Sequence, residues 1–265
     1  MKWEESFGMK HASEVWILLR GLARESRHWG TFPSEFMKSA AGRKVICIDL
    51  PGAGEAINAQ SPVNVRAMTE FVREKVLSIK KENPGATFYL MAQSLGGMVA
   101  LDWVARHQDF SGLVLVNTSV SGISPAHHRL RPTAALKLLR IVRERNSVKR
   151  ELNILKLISN KVDLHGVISK EWAEIADSRP VTIKNFVSQL LAAATFRSPK
   201  DKPVIPVLVL SSKADQMVSY RCSEALAKKW SLPLMLHETA GHDLVIDDPA
   251  WVQTSVNTWI ATREN

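Results

Sequence analysis

Three side chains far apart along this 265-residue chain could together carry out nucleophilic acyl transfer. Ser94 follows the apolar run Phe88-Tyr89-Leu90-Met91-Ala92-Gln93 and precedes Leu95-Gly96-Gly97, so it stands where a strand turns directly into a helix. On such a turn the hydroxyl stands clear of the sheet, and small residues are needed two positions before and two after it. Ala92 and Gly96 meet that need. A serine hydroxyl is a weak nucleophile at neutral pH; it needs an imidazole to take its proton and a carboxylate to orient the imidazole. Asp215, in Ser211-Ser212-Lys213-Ala214-Asp215-Gln216-Met217-Val218, and His242, in Glu238-Thr239-Ala240-Gly241-His242-Asp243, each follow a later apolar run and supply those groups. Serine is also a favoured helix cap, and Asp243, Asp247 and Asp248 compete with Asp215. Asp215 is preferred because it alone follows the preceding strand, whereas Asp247-Asp248-Pro249 has the form of a helix start. His237 falls within a strand and His127, His128 and His165 in a helical segment, so they read as structural or solvated; Asp49 and Asp102 read as loop and helix surface.

The elements that must position these residues alternate. Residues 15–19, 44–49, 88–93, 112–117, 204–210 and 234–237 are apolar runs of the kind buried on both faces of a parallel sheet. Helical patterns cover 28–40, 64–81, a stretch from Leu95, 219–230 and 249–262; Met68, Phe71, Val72 and Val76 share one face, and Asn83-Pro84-Gly85 stops that helix. Right-handed crossovers then give a mostly parallel sheet with helices on both faces, and the loops after the strands gather at one edge. The alternation lapses over 119–202, where Ala135, Leu138, Leu139 and Val142 at i, i+3, i+4, i+7 predict the inward face of a helix. Leu152, Leu155 and Ile158 predict a second helix, and 182–194 a third.

The order Ser…Asp…His along the chain is that of the α/β-hydrolase superfamily, and the resemblance runs from about Val15 to Trp259. It is carried by Arg20-Gly21, Asp49-Leu50-Pro51-Gly52-Ala53-Gly54, Ala92-Gln93-Ser94-Leu95-Gly96-Gly97, Asp215-Gln216-Met217-Val218 and Gly241-His242. The resemblance implies Ser94 as nucleophile, His242 as general base, Asp215 as its orienting carboxylate, and backbone N–H groups of Leu22 and Leu95 as an oxyanion hole. It also implies a hydrolase core over 1–118 and 203–265 with a helical lid over 119–202. The type it is most similar to is the small lidded serine carboxylesterase, cleaving an ester with an apolar part through an acyl-enzyme. Thioesterase, lysophospholipase and carrier-protein methyl ester esterase chemistry use the same residues, and a non-catalytic ligand-binding protein on this fold is the rival of another class. The chain departs from the pattern twice: Arg20 stands where histidine is common, and Ala92 where glycine is common.

Composition narrows the field. The net charge of +9 is concentrated in residues 126–165, where ten Lys/Arg face three Asp/Glu, so one basic face is expected rather than a nucleic-acid-binding domain. That face suits an anionic partner, either acyl carrier protein or an acidic lipid surface. No apolar run reaches the roughly 18 residues of a membrane span. The N-terminus Met1-Lys2-Trp3-Glu4-Glu5-Ser6 has no signal-peptide character, which leads to the expectation of a cytoplasmic protein. Two cysteines, Cys47 and Cys222, read as packing residues, and no zinc spacing or nucleotide glycine pattern occurs, so no metal or cofactor is expected.

Overall fold

The computed structural model describes residues 13–264; the N-terminal residues on which the secretion argument rested lie outside them. Strands β1 (Glu14–Leu19), β2 (Arg43–Ile48), β3 (Thr87–Gln93), β4 (Gly112–Val116), β5 (Val207–Ser212) and β6 (Leu234–His237) pair in the order β2-β1-β3-β4-β5-β6. Every pairing is parallel. The apolar run of β1 is explained by its pleat: Val15, Ile17 and Leu19 enter one core cluster, Trp16 and Leu18 the other.

Helices α1 (Phe32–Lys38), α2 (Val65–Glu82) and α3 (Leu95–Arg106) connect the first four strands. Asn64 caps α2 by accepting from the Ala67 N–H at 2.8 Å. Between β4 and β5 lie α4 (Ala126–Arg129), α5 (Pro132–Arg143), α6 (Ser147–Ile158), α7 (His165–Ser178) and α8 (Ile183–Thr195). Helices α9 (Arg221–Trp230), α10 (Leu244–Asp247) and α11 (Pro249–Glu264) complete the chain. Helices α2 and α3 cover one face of the sheet, α1 and α11 the other. The inserted helices have a core of their own, built on Ala134, Ile141, Leu155, Ile158 and Trp172.

Several boundaries differ from the sequence reading. The helix expected over 28–40 starts only at Phe32, because Gly30 at φ 56° breaks the chain after a 3₁₀ turn, Ser26–Trp29. The strand expected over 204–210 begins three residues later, beyond Pro206, which has no N–H for the ladder. Helix α7 was not foreseen. The inward face expected of α5 is met in part: Leu138 packs on the core of the insertion and lines the cavity, but the fully buried positions are Ala134 and Ile141, while Leu139 and Val142 are exposed. The apolar arc of α5 is wide, from Ile141 and Ala134 round to Leu139 and Leu136, so the pattern alone does not select which part of it is covered. Asp49 is also not a surface loop residue: it is buried and accepts from the Ser26 N–H and Oγ, both at 2.6 Å, and from the Glu55 N–H at 2.8 Å.

Candidate active site

Ser94 joins β3 to α3 with φ 53° and ψ −116°, a conformation that costs a residue other than glycine roughly 1–3 kcal/mol. Its hydroxyl does not cap α3. The strain is held by the backbone: Ser94 N–H donates to Val116 O at 2.9 Å, and Gly97 N–H donates to Ser94 O at 3.0 Å. A methyl at Gly96 would lie 2.6 Å from the Arg20 carbonyl oxygen and 2.8 Å from that of Leu19, so glycine is what lets α3 meet the end of β1. Ala92 is fully buried in the sheet beside Leu19 and Leu115, and its extra methyl is accommodated there.

Asp215 follows β5 and His242 follows β6. Their side chains meet at 2.6 Å, His242 Nδ1 to Asp215 Oδ2, and both are buried. The other oxygen of Asp215 accepts from the N–H groups of Met217 (2.7 Å) and Val218 (2.9 Å), which fixes the carboxylate. The His242 carbonyl accepts from Asn117 Nδ2 at 2.8 Å and Gln93 Nε2 at 3.2 Å, which fixes the histidine loop from behind. Burial pulls the His242 pKa down, but the charge of Asp215, its hydrogen bond and the charge of Asp243 outweigh burial and Arg20, and the net shift is upward. Leu95 heads α3, so its N–H has no acceptor within the helix. Leu22 lies in the loop after β1 and lines the same cavity as Ser94 and His242.

Arg20 and Asp243, the neighbours of these residues in sequence, form a feature that sequence reasoning missed. Arg20 is buried, bonds both oxygens of Asp243 (2.5 and 3.2 Å), donates to Gln93 Oε1 at 2.7 Å, and lies over the Trp29 ring at 4.7 Å. Asp243, weighed as a rival to Asp215, is thus a partner of Arg20. The signal was available: an arginine replacing a common histidine beside the loop is a buried cation in need of an anion. Asp243 N–H also donates to Ile158 O at 2.7 Å, so the end of α6 rests on the histidine loop.

Ser94 and His242 line a cavity of about 450 Å³. Leu138, Ile141, Ile158, Ile175 and Phe186 of the inserted helices line it with apolar side chains, and Arg24, His28 and Glu151 are also on its lining. Among the described residues no group of three or more His, Cys, Asp or Glu could hold a metal, and no helix is long and apolar enough to cross a membrane. Cys47 and Cys222 are free, and burial pushes the Cys47 thiol up to about 12. His237 faces Asp248, and His165 faces Ser159 Oγ.

Residues 10–249 match the sequence model of the family described as serine aminopeptidase, S33. The chain belongs to that family, within the α/β-hydrolase superfamily. No curated protein matches it significantly. Among solved structures, this α/β-hydrolase is similar to an esterase from Exiguobacterium antarcticum (14% identity, TM-score 0.75, covering 95% of this chain and 93% of that one). The esterase RhEst1 from Rhodococcus sp. ECU1013 is similar at 20% identity and TM-score 0.73, covering 95% and 91%. A thermophilic esterase from Thermogutta terrifontis is similar at 20% identity and TM-score 0.68, covering 94% and 90%. At these identities the likeness is one of fold.

Proposed function

We propose that this α/β-hydrolase is a serine hydrolase that cleaves a carboxylic ester through an acyl-enzyme at Ser94. His242 takes the hydroxyl proton during attack and returns it to the leaving alcohol; Asp215 holds the imidazole in the tautomer with hydrogen on Nδ1 and stabilises the imidazolium. Leu95 and Leu22 N–H groups receive the tetrahedral oxyanion, each worth about 100-fold or more in rate. The observation that carries the reading is the strained Ser94 backbone, with the side chain left uncapped on a cavity that His242, hydrogen-bonded to the buried Asp215, also lines. The inserted helices act as the lid of this cavity, and their apolar side receives the apolar part of the ester.

The family description names an aminopeptidase, whose substrate carries an ammonium group. Three of the four acids lining the cavity are already bound to arginines, Glu151 to Arg24, Asp243 to Arg20 and Glu25 to Arg27, which supports an ester over a peptide with a free amino terminus. Hydrolysis of p-nitrophenyl esters by the wild type and its loss in Ser94→Ala test the reading; folded wild type that turns over no ester or thioester contradicts it.

A second reading concerns the lid surface. Leu136 and Leu139 are exposed on α5 among Lys137, Arg140 and Arg143, a mixture that favours an acidic lipid surface over an acidic carrier protein as the anionic partner. Co-sedimentation with anionic but not neutral vesicles at low salt is expected; no vesicle binding at low salt contradicts it.

A further inference from the structure

The lining of the Ser94 cavity changes character from its buried end to its mouth. Gln93, His242 and Asp243 are buried, whereas Val142, Arg145, Pro180 and Ile183 line the same cavity and are exposed. The mouth is therefore bounded by the end of α5, the turn into α6, and the connection from α7 to α8. The two most buried arginines of the lining have carboxylate partners, Arg20 with Asp243 and Arg24 with Glu151 at 2.7 Å. The other three, Arg145, Arg150 and Arg179, are not matched in this way. Neither the Arg145 nor the Arg179 side chain has an ion pair or hydrogen bond with another described residue. Arg150 Nε comes only within 3.7 Å of Glu151 Oε1, and the other oxygen of that carboxylate already holds Arg24. Glu144 of the same lining accepts the Asn146 N–H at 2.9 Å and pairs with no cation. Three guanidinium groups thus stand against one carboxylate.

A cleft with apolar walls and an unbalanced charge of one sign attracts the opposite sign, because the low-dielectric walls focus the field. Guanidinium groups bind carboxylate and phosphate through paired N–H donors. We propose that Arg145, Arg150 and Arg179 form an anion subsite at the mouth, and that the substrate is an ester with a carboxylate or phosphate at the end remote from the scissile bond. Its alkyl part lies along Leu138, Ile175 and Phe186, which line the same cavity. This rests on the ester hydrolase reading of Ser94, and discrimination by binding can be measured without it.

The test compares two series at low salt, p-nitrophenyl esters of C6–C8 acids and acetyl esters of C6–C8 alcohols. Each has an ω-carboxy, an ω-phosphooxy and a neutral ω-carboxamide member. Wild type is expected to prefer an anionic end over the carboxamide by about tenfold or more in kcat/KM in one series; the larger of the carboxylate and phosphate ratios identifies the group. Arg145→Gln combined with Arg179→Gln abolishes that ratio. Arg140→Gln combined with Arg143→Gln removes as much charge from exposed positions of α5 that are off the lining, and keeps it. Calorimetric titration of Ser94→Ala with the same esters should show the same preference, removed by adding the Arg145 and Arg179 changes. No anionic preference in either series, a ratio that survives the Arg145 and Arg179 changes, or an equal loss in the Arg140 and Arg143 control overturns the proposal. Binding preference without turnover by the wild type would instead contradict the hydrolase reading alone.

Discussion

The edge of the sheet and the helices inserted beyond it were built under different constraints. At the edge, a few backbone positions permit one arrangement: Ser94 at positive φ, Gly96 against the Arg20 and Leu19 carbonyls, and Asp215 held by two amides. In the insertion, α5 buries Ala134 and Ile141 and leaves Leu136 and Leu139 exposed. Chemistry needs fixed geometry and leaves short, local sequence marks; packing tolerates alternatives and leaves diffuse ones.

Removing an edge residue should therefore have far larger effects than altering the insertion's surface. Asp215→Asn should lower kcat by about 10³–10⁴-fold, since the imidazole loses the partner that sets its tautomer. The pH profile adds a sign. The base must be neutral, and the His242 pKa is raised above 6.5, so wild-type activity should fall as pH drops through a midpoint above that value. In Asp215→Asn, burial and Arg20 are opposed only by the charge of Asp243, and the midpoint of the residual activity should move to lower pH. The same raised pKa contributes stability below about pH 6.5 that is lost as pH rises through the folded value.

Breaking the buried ion pair comes next. Asp243→Leu strands Arg20 and should cost about 3–5 kcal/mol of stability, read by chemical denaturation. Arg20→Met combined with Asp243→Leu should cost much less than the two single changes added together. Equal, additive losses would show that the pair does not act as a unit. The smallest effect is expected on the insertion: Leu139→Ser should change stability by within about 0.5 kcal/mol, because that side chain is 56% exposed. A loss of several kcal/mol there would contradict the assignment of the face and remove the contrast between the two regions.

The same contrast explains how much was legible in the sequence. The six strands, their flanking helices and the residues Ser94, Asp215 and His242 could be read because apolar runs and turn residues act locally. Only the structure shows that Asp243 serves Arg20, that Ile158 O rests on the histidine loop through the Asp243 N–H, and that His28 lines the cavity. Each depends on segments roughly 85 to 225 positions apart meeting in space, and no local pattern encodes such a meeting.

The central claim is that Ser94 is an activated nucleophile at the strained edge, and a fluorophosphonate probe tests it most directly. Intact-mass analysis should show one adduct on the wild type, none on Ser94→Ala, and slow labelling of His242→Ala. Folded wild type that stays unlabelled, or Ser94→Ala labelled at the wild-type rate, would contradict it.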